Sequence, residues 1–269
     1  MRYSLKHALI AGLLAIAALL PINALAGDTL QRVVDFKVLK VGMSGDQPPM
    51  NTVNREGGLM GFDVDLARAL ALAMRVKLEI KTMPFGELMT ALEKDEIDMI
   101  ISGMAITPER TEMVSFVGPY MMSGKSILTS NSVLANVSST EEFNRAELKM
   151  VALKNSTSAS FVRMAAPQAE LIEVDNYDAG VSLLKDGKAD GMVADMPACV
   201  LAVMRYPDAG LVTLKKPLTL EPIGIAISKD DSQFLNLVDN YLEAYGKMGV
   251  LTQLRKRWLE ESDWLAALP

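Results

Sequence analysis

The chain has 269 residues, half of them hydrophobic, with 27 basic and 33 acidic side chains, one histidine and one cysteine. The acidic balance argues against nucleic acid and against anionic membrane surfaces as partners. Cys199, alone, excludes an intramolecular disulfide and a thiolate metal cluster, and no cofactor is expected.

Residues 1–26 read as a segment apart. Arg2 and Lys6 precede an apolar run from Ala8 to Leu20, broken only by Gly12, and Pro21 with Ala24-Leu25-Ala26 supplies a small-residue cleavage site. A positive front, a short apolar core and small residues predict a cleaved secretory signal, with Gly27 as the new N-terminus; the alternative is an uncleaved anchor helix. No cysteine follows to carry a lipid, so the expected location is a periplasm. His7 leaves with the signal. Ser-His-Asp catalysis, histidine general-base chemistry and histidine-ligated metal sites are thereby excluded. Removing Arg2 and Lys6 from the 27 basic residues leaves 25 against 33 acidic ones, a net charge of −8. About 243 residues remain, enough for one large domain or two small ones with their own cores. No later apolar run approaches the length of a membrane span, so a soluble mature protein is expected. Cys199, between Ala198 and Val200-Leu201, reads as a small buried hydrophobe; the alternative is a reactive thiol.

Strands and helices alternate along the mature chain. Val38 to Met43 reads as a first strand. After a Pro/Gly-rich loop, Asp63 to Met74 reads as a helix, with Leu66, Leu70 and Met74 at a spacing of four. Leu78 to Lys81 is a second strand, Pro84 to Lys94 a helix opened by proline, and Ile97 to Ile101 an apolar run suited to a buried parallel strand. A second βαβαβ unit follows: strands at Leu148–Leu153, Leu171–Val174 and Ala189–Ala194, with helices at Ser156–Ala165, Tyr177–Lys185 and from Pro197. The two units do not visibly repeat in sequence. Two parallel-sheet lobes are expected, with Lys125–Thr129 and Glu221–Ile227 as apolar segments crossing between them. Two helices close the chain, Phe234–Lys247 and Val250–Glu260, separated by Gly249.

Ligands of such sheets sit beyond the C-terminal ends of strands, beside helix N-termini. The segment Ser102-Gly103-Met104-Ala105-Ile106-Thr107-Pro108-Glu109-Arg110 follows the Ile97 strand directly. Thr107 suits an N-cap and Pro108 a first helical residue. Arg110 then falls in the first turn, where the helix dipole disfavours a cation. A ligand carboxylate paired with Arg110 would resolve the conflict; the alternative is a solvated arginine beside Glu109 or Glu112. Asp195, ending a strand before a proline-started helix, suits either an N-cap or a ligand anchor.

Gly61-Phe62-Asp63-Val64-Asp65-Leu66, Ile97-Asp98, Ser102-Gly103, Ile106-Thr107-Pro108-Glu109-Arg110 and Phe116 with Pro119-Tyr120, in this order and spacing, resemble family 3 solute-binding proteins of polar amino-acid ABC transporters. The resemblance spans the mature chain from Leu39 to Trp258. It implies a type II periplasmic-binding-protein-like fold: two α/β lobes joined by two crossing strands, with lobe one at 27–124 and 228–269 and lobe two at 125–227. It also implies a non-enzymatic monomer that closes on an amino acid or analogue and delivers it to permease subunits.

By the same resemblance Arg110 takes the ligand α-carboxylate, with Gly103, Ala105 and Thr107 beside it. Ser156 and Thr157 add donors from lobe two, and Asp195 takes the α-ammonium. Asn155 stands where the family usually has glycine. Gln47 lies near the usual aromatic of the first loop, and Phe85 is either the opposite wall or helix core. Ala105 replaces a frequent hydroxyl. Glu221 either meets a ligand amine or pairs with Lys215 or Lys216. Two other classes remain. One is a cyclohexadienyl dehydratase-like enzyme, although Ala198 stands where that pattern places its acid; the other is a free protein presenting its ligand to a sensor.

Overall fold

The computed structural model describes residues 28–269 except 138 and 230. The signal segment read from the sequence lies outside them.

Helix α1 (Asp28–Phe36) opens the described chain and strand β1 (Val38–Met43) follows. The Pro/Gly-rich loop contains three short strands, β2 (Asp46–Gln47), β3 (Asn51–Val53) and β4 (Leu59–Met60), which form a small antiparallel sheet of their own. Sequence pattern misses them because two or three residues cannot show a period of two. Gly61 turns the chain out of this sheet at φ 133, where a Cβ would lie 2.2 Å from the Met50 carbonyl oxygen. Only glycine fits there.

The next helix, α2 (Phe62–Met74), buries Phe62, Val64, Leu66, Ala67 and Leu70. Burying the larger of these, Phe62, Val64, Leu66 and Leu70, contributes about 1.5–3 kcal/mol each. Strand β5 (Lys77–Thr82), a single 3₁₀ turn at Phe85–Glu87, α3 (Leu88–Glu93) and β6 (Met99–Ile100) complete the first βαβαβ unit. The short helix α4 (Pro108–Thr111), then β7 (Val114–Ser123) and β8 (Lys125–Thr129), carry the chain towards the second lobe. There β9 (Lys149–Leu153), α5 (Thr157–Ala165), β10 (Glu170–Val174), α6 (Tyr177–Lys185), β11 (Gly191–Asp195) and α7 (Met196–Arg205) make the second unit. Strand β12 (Val212–Thr213) ends it, and β13 (Glu221–Ser228), α8 (Ser232–Lys247) and α9 (Val250–Arg255) return to the first lobe.

The two five-stranded sheets share one plan. The first has the order β5-β1-β6-β13-β7 and the second β10-β9-β11-β8-β12. In each, three parallel strands in the order second-first-third are extended by two more strands, each added through an antiparallel pairing. The repeat that the sequence hides is therefore a repeat of topology. The chain crosses between sheets at Ser123–Lys125, where β7 passes into β8 with a break at Gly124, and again on the way from β12 to β13. By its pairing, β13 lies within the first sheet along its length.

The returning helices are fixed to α2 by polar contacts as well as packing. Tyr241 and Tyr245 donate to the carbonyls of Ala73 and Ala69, and the Trp258 indole donates to Asp65. Beneath β1, Asp63 is fully buried and accepts from the Tyr120 hydroxyl (2.7 Å) and the Asn51 amide (2.8 Å). Asn51 in turn accepts from the Ser44 hydroxyl and the Gly45 N–H, which ties the loop after β1 to the core. No helix of the described residues is long and apolar enough to cross a membrane.

Candidate functional site

Four parallel strands end at one place. The residues after β1 (Ser44–Gln47), after β6 (Ser102–Arg110), after β9 (Lys154–Thr157) and at the end of β11 (Asp195) meet between the two sheets, as the topology of such sheets dictates. Gln47, Gly103, Ser123, Asp195, Ala198 and Ile223 line one small cavity drawn from both lobes.

Arg110 lies at this boundary. Thr107 caps the short helix as expected, its hydroxyl accepting from the Arg110 N–H at 3.3 Å. The guanidinium folds back so that Nη1 donates to the Ala105 carbonyl (2.9 Å) while Nη2 crosses to the Asn155 carbonyl of the second lobe (3.1 Å). The Phe85 ring lies beneath it, 5.6 Å from the guanidinium carbon to the ring centre. Phe85 is therefore a core side chain, only 6 % exposed, whose ring also supports the guanidinium. Among the described residues no carboxylate forms an ion pair with Arg110; Glu221, Asp195 and Glu109 act on it only at longer range. Burial lowers its pKa, and those acids oppose the shift.

Asn155 adopts φ 55, the left-handed conformation that the usual glycine would take. Asparagine tolerates it better than most residues, so the substitution preserves the loop. Its side chain donates to the Gly86 carbonyl across the lobes at 3.4 Å. Ser156 is committed locally: its hydroxyl donates to the Leu153 carbonyl (2.6 Å) and accepts from Ala159 N–H (3.1 Å), capping α5. The Thr157 hydroxyl donates to Glu221 at 2.9 Å.

Asp195 and Glu221 share a lysine. Lys125 donates to Asp195 at 2.9 Å and lies 3.1 Å from Glu221, with its side chain only 2 % exposed. Glu221 also accepts from the Thr219 hydroxyl at 3.0 Å. Its cationic partner is therefore neither Lys215 nor Lys216, the two candidates in the sequence, but Lys125. The same Asp195 oxygen also accepts from the Ser123 hydroxyl at 3.4 Å, and Asp195 makes no side-chain cap bond to α7.

On the opposite wall Gln47, 2 % exposed, donates to the Tyr177 hydroxyl at 3.2 Å, and Asp46 accepts from the Tyr177 N–H at 3.1 Å. Both contacts join the lobes. Asp46 Oδ1 and Gln47 Oε1 are buried acceptors without a partner among the described residues. Burial raises the Asp46 pKa and holds the Tyr177 hydroxyl well above the usual tyrosine value, the charge of Asp195 adding to the second. Gly103, at φ 57, packs directly against the Gln47 amide. Cys199 is buried nearby, as expected from its neighbours, with its thiol pKa pushed up to about 12 by desolvation.

Two residues of this constellation escaped the sequence analysis. Lys125 did carry a signal: it is the single charge at the head of an otherwise apolar or small strand, Lys125-Ser126-Ile127-Leu128-Thr129, all of it buried. Tyr177 carried none beyond its place after the N-cap Asn176.

The model of the bacterial extracellular solute-binding proteins, family 3, matches residues 39–261. The chain belongs to this family. Among curated relatives, an ABC transporter glutamine-binding protein of Bacillus subtilis is 29 % identical over 238 residues, covering 87 % of this chain and 85 % of that protein. A cyclohexadienyl dehydratase of Pseudomonas aeruginosa is also 29 % identical, over 232 residues and 86 % of both chains. Among solved structures, a binding component of an ABC transporter from Wolinella succinogenes, complexed with lysine, superposes with a TM-score of 0.81 at 33 % identity, covering 86 % of this chain and 99 % of that one. Membership of the family carries an extracellular or periplasmic setting and a solute-binding role. The two-lobed fold is the one its relatives share.

Proposed function

We propose that this protein is the periplasmic binding component of an ABC importer, a monomer that captures an α-amino acid or close analogue by lobe closure and presents it to permease subunits. One observation supports this reading above others: Arg110 is a partly buried cation at the lobe boundary whose donors meet only backbone carbonyls. A buried charge is stable when paired, so a carboxylate arriving there gains a charge-assisted, two-nitrogen contact. In this reading Asp195 takes the ammonium from across the cleft; Gln47 and Gly103 line the small cavity it shares, Ala105 and Phe85 contact the guanidinium, and Thr157 holds Glu221. Two charged contacts at roughly 1.5–3 kcal/mol each, with apolar burial, are compatible with micromolar affinity, about −8 kcal/mol.

The named dehydratase relative gives the second reading its weight. Against it, position 198 is alanine, and Glu221 accepts from Lys125, Thr157 and Thr219, so it is disposed as an acceptor rather than a proton donor. The test separates the two. Purified mature protein is screened by thermal shift against the amino acids and amino-acid-derived acids, then incubated with prephenate and arogenate. A true ligand at a hundred times its Kd adds about 2.7 kcal/mol of stability. No shift from any of them would end the binding proposal, and steady release of phenylpyruvate or phenylalanine would replace it with the enzymatic one.

A further inference from the structure

We propose that the cleft also binds carboxylates that lack an α-ammonium, because Lys125 supplies from within the protein the cation that Asp195 would otherwise draw from the ligand. This extends the binding function proposed above and rests on it.

The contact is built into the sheet. Lys125 and Asp195 are directly opposite in the antiparallel pair of β8 and β11, so the ladder register itself brings ammonium and carboxylate together at 2.9 Å. The backbone fixes that register further: Lys125 N–H donates to the Thr219 hydroxyl (2.9 Å) and its carbonyl accepts from Leu218 N–H (2.7 Å). Glu221, reaching from the first sheet, accepts from the same ammonium at 3.1 Å and is held there by Thr157 and Thr219. A buried lysine with two acids on it has no reason to leave when a ligand arrives. An ammonium has three protons to donate, and two are placed by this geometry.

The consequence is one of discrimination. A pocket with a lone buried carboxylate rejects an analogue lacking the matching amine by about 10⁴–10⁵, because the carboxylate is then sealed in unpaired. Here Asp195 keeps its partner whichever ligand enters. The second carboxylate oxygen of Asp195 stays available to an ammonium but does not require one. Arg110, on the other wall, takes the carboxylate that both kinds of ligand carry. The residue that broadens the ligand class is thus Lys125, and Glu221 is the residue that positions it.

Calorimetry on wild-type protein, on Lys125→Met and on the charge-compensated pair Lys125→Met/Glu221→Gln tests this. The probes are the nineteen amino acids with a primary α-ammonium, each beside the acid of the same skeleton with hydrogen in place of the ammonium: 4-carbamoylbutanoate beside L-glutamine, 5-guanidinopentanoate beside L-arginine, and so on. In the wild type the two members of the best-binding pair are expected within about tenfold of each other, and in either variant the gap widens to at least about a thousandfold. The double variant keeps the test alive should Lys125→Met leave two buried acids and fail to fold. If an amino acid binds the wild type but its deaminated partner is already more than a thousandfold weaker, or if the gap is unchanged in a folded variant, this inference is wrong and the binding function stands. If no member of any pair binds, the binding function falls as well.

Discussion

Replacing Arg110 by alanine separates a ligand contact from a structural one. In the protein the guanidinium makes two hydrogen bonds, to the carbonyls of Ala105 and Asn155, and rests on Phe85. Losing two such bonds costs about 1–3 kcal/mol of folding stability, and the ring contact about 0.5–1 more. Removing a desolvated cation without a carboxylate partner returns part of that, and Asn155 is exposed enough for water to replace the arginine at its carbonyl. The net change in stability is therefore small, on the order of 1–2 kcal/mol. For a bound carboxylate the loss is larger, about 2–5 kcal/mol, because the anion is buried without its counter-charge. That corresponds to a roughly 30-fold to several-thousand-fold rise in Kd. Arg110→Lys keeps the charge and loses the planar fork, so it falls between. Titration calorimetry reads the affinity and differential scanning calorimetry the stability. A folded Arg110→Ala protein with near-wild-type affinity would remove Arg110 from the site and overturn the reasoning.

Asp63 makes stability depend on pH. Burial raises its pKa to about 6, so between the unfolded value near 3.9 and that point the folded protein holds a proton that the unfolded chain has lost. Stability then falls as pH rises from about 4 to about 6, by on the order of 3 kcal/mol from this group. Burial acts in the same direction on Asp46 and Asp98. Urea midpoints from pH 4 to pH 7 should decline less steeply in Asp63→Asn than in the wild type; equal slopes would show that Asp63 does not titrate there. Tyr177→Phe removes the bond from Gln47 while keeping the ring, and should weaken ligand affinity by about 1 kcal/mol with little change in melting temperature. Calorimetry giving an unchanged Kd would mean that this interlobe contact does not contribute to closure.

The parts of the fold that the sequence revealed are those with a long period. Val38–Met43, Tyr177–Lys185 and the run from Asp63 to Met74 are strongly patterned, and each is found within a residue or so of where the pattern places it. The helix expected from Pro84 to Lys94 is a 3₁₀ turn followed by α3, and the one expected from Val250 to Glu260 ends in a π turn at Lys256–Glu260. Local hydrogen-bond geometry of this kind leaves no mark on the spacing of apolar residues. The likeness of the two sheets was illegible because a strand order is a fact of pairing, and pairing is non-local.

The family motif itself does two different things. Gly61-Phe62-Asp63 and Tyr120 wire the loop after β1 into the core, whereas Thr107 and Arg110 form the rim of the cleft. Residue type and spacing do not distinguish these roles; burial does, since Asp63 and Tyr120 are fully buried and Arg110 is not. Glu221 shows the limit most clearly. As an acid near a cleft it invited pairing with a sequence neighbour, yet its partner Lys125 lies nearly a hundred positions away and is reached only through the packing of β8 beside the crossing.

These contacts also bear on how the proposed closure would be driven. The lobes meet through Arg110 on Asn155, Asn155 on Gly86, Gln47 and Asp46 on Tyr177, and Thr157 on Glu221. Each net bond is worth about 0.5–1.5 kcal/mol, and hinge and side-chain ordering oppose their sum. A ligand tips such a balance only by the difference between its affinities for the two arrangements. At Arg110 part of a carboxylate's gain would be offset wherever it competes with the Ala105 and Asn155 carbonyls for the nitrogens they already hold. The rest of the bias would then come from burying the ligand between the lobes, a contribution that an amino acid and its deaminated analogue share. At Asp195 a ligand's ammonium would meet an acid that Lys125 already partners, so the same buried cluster that relaxes the requirement for an ammonium also limits how much one can add.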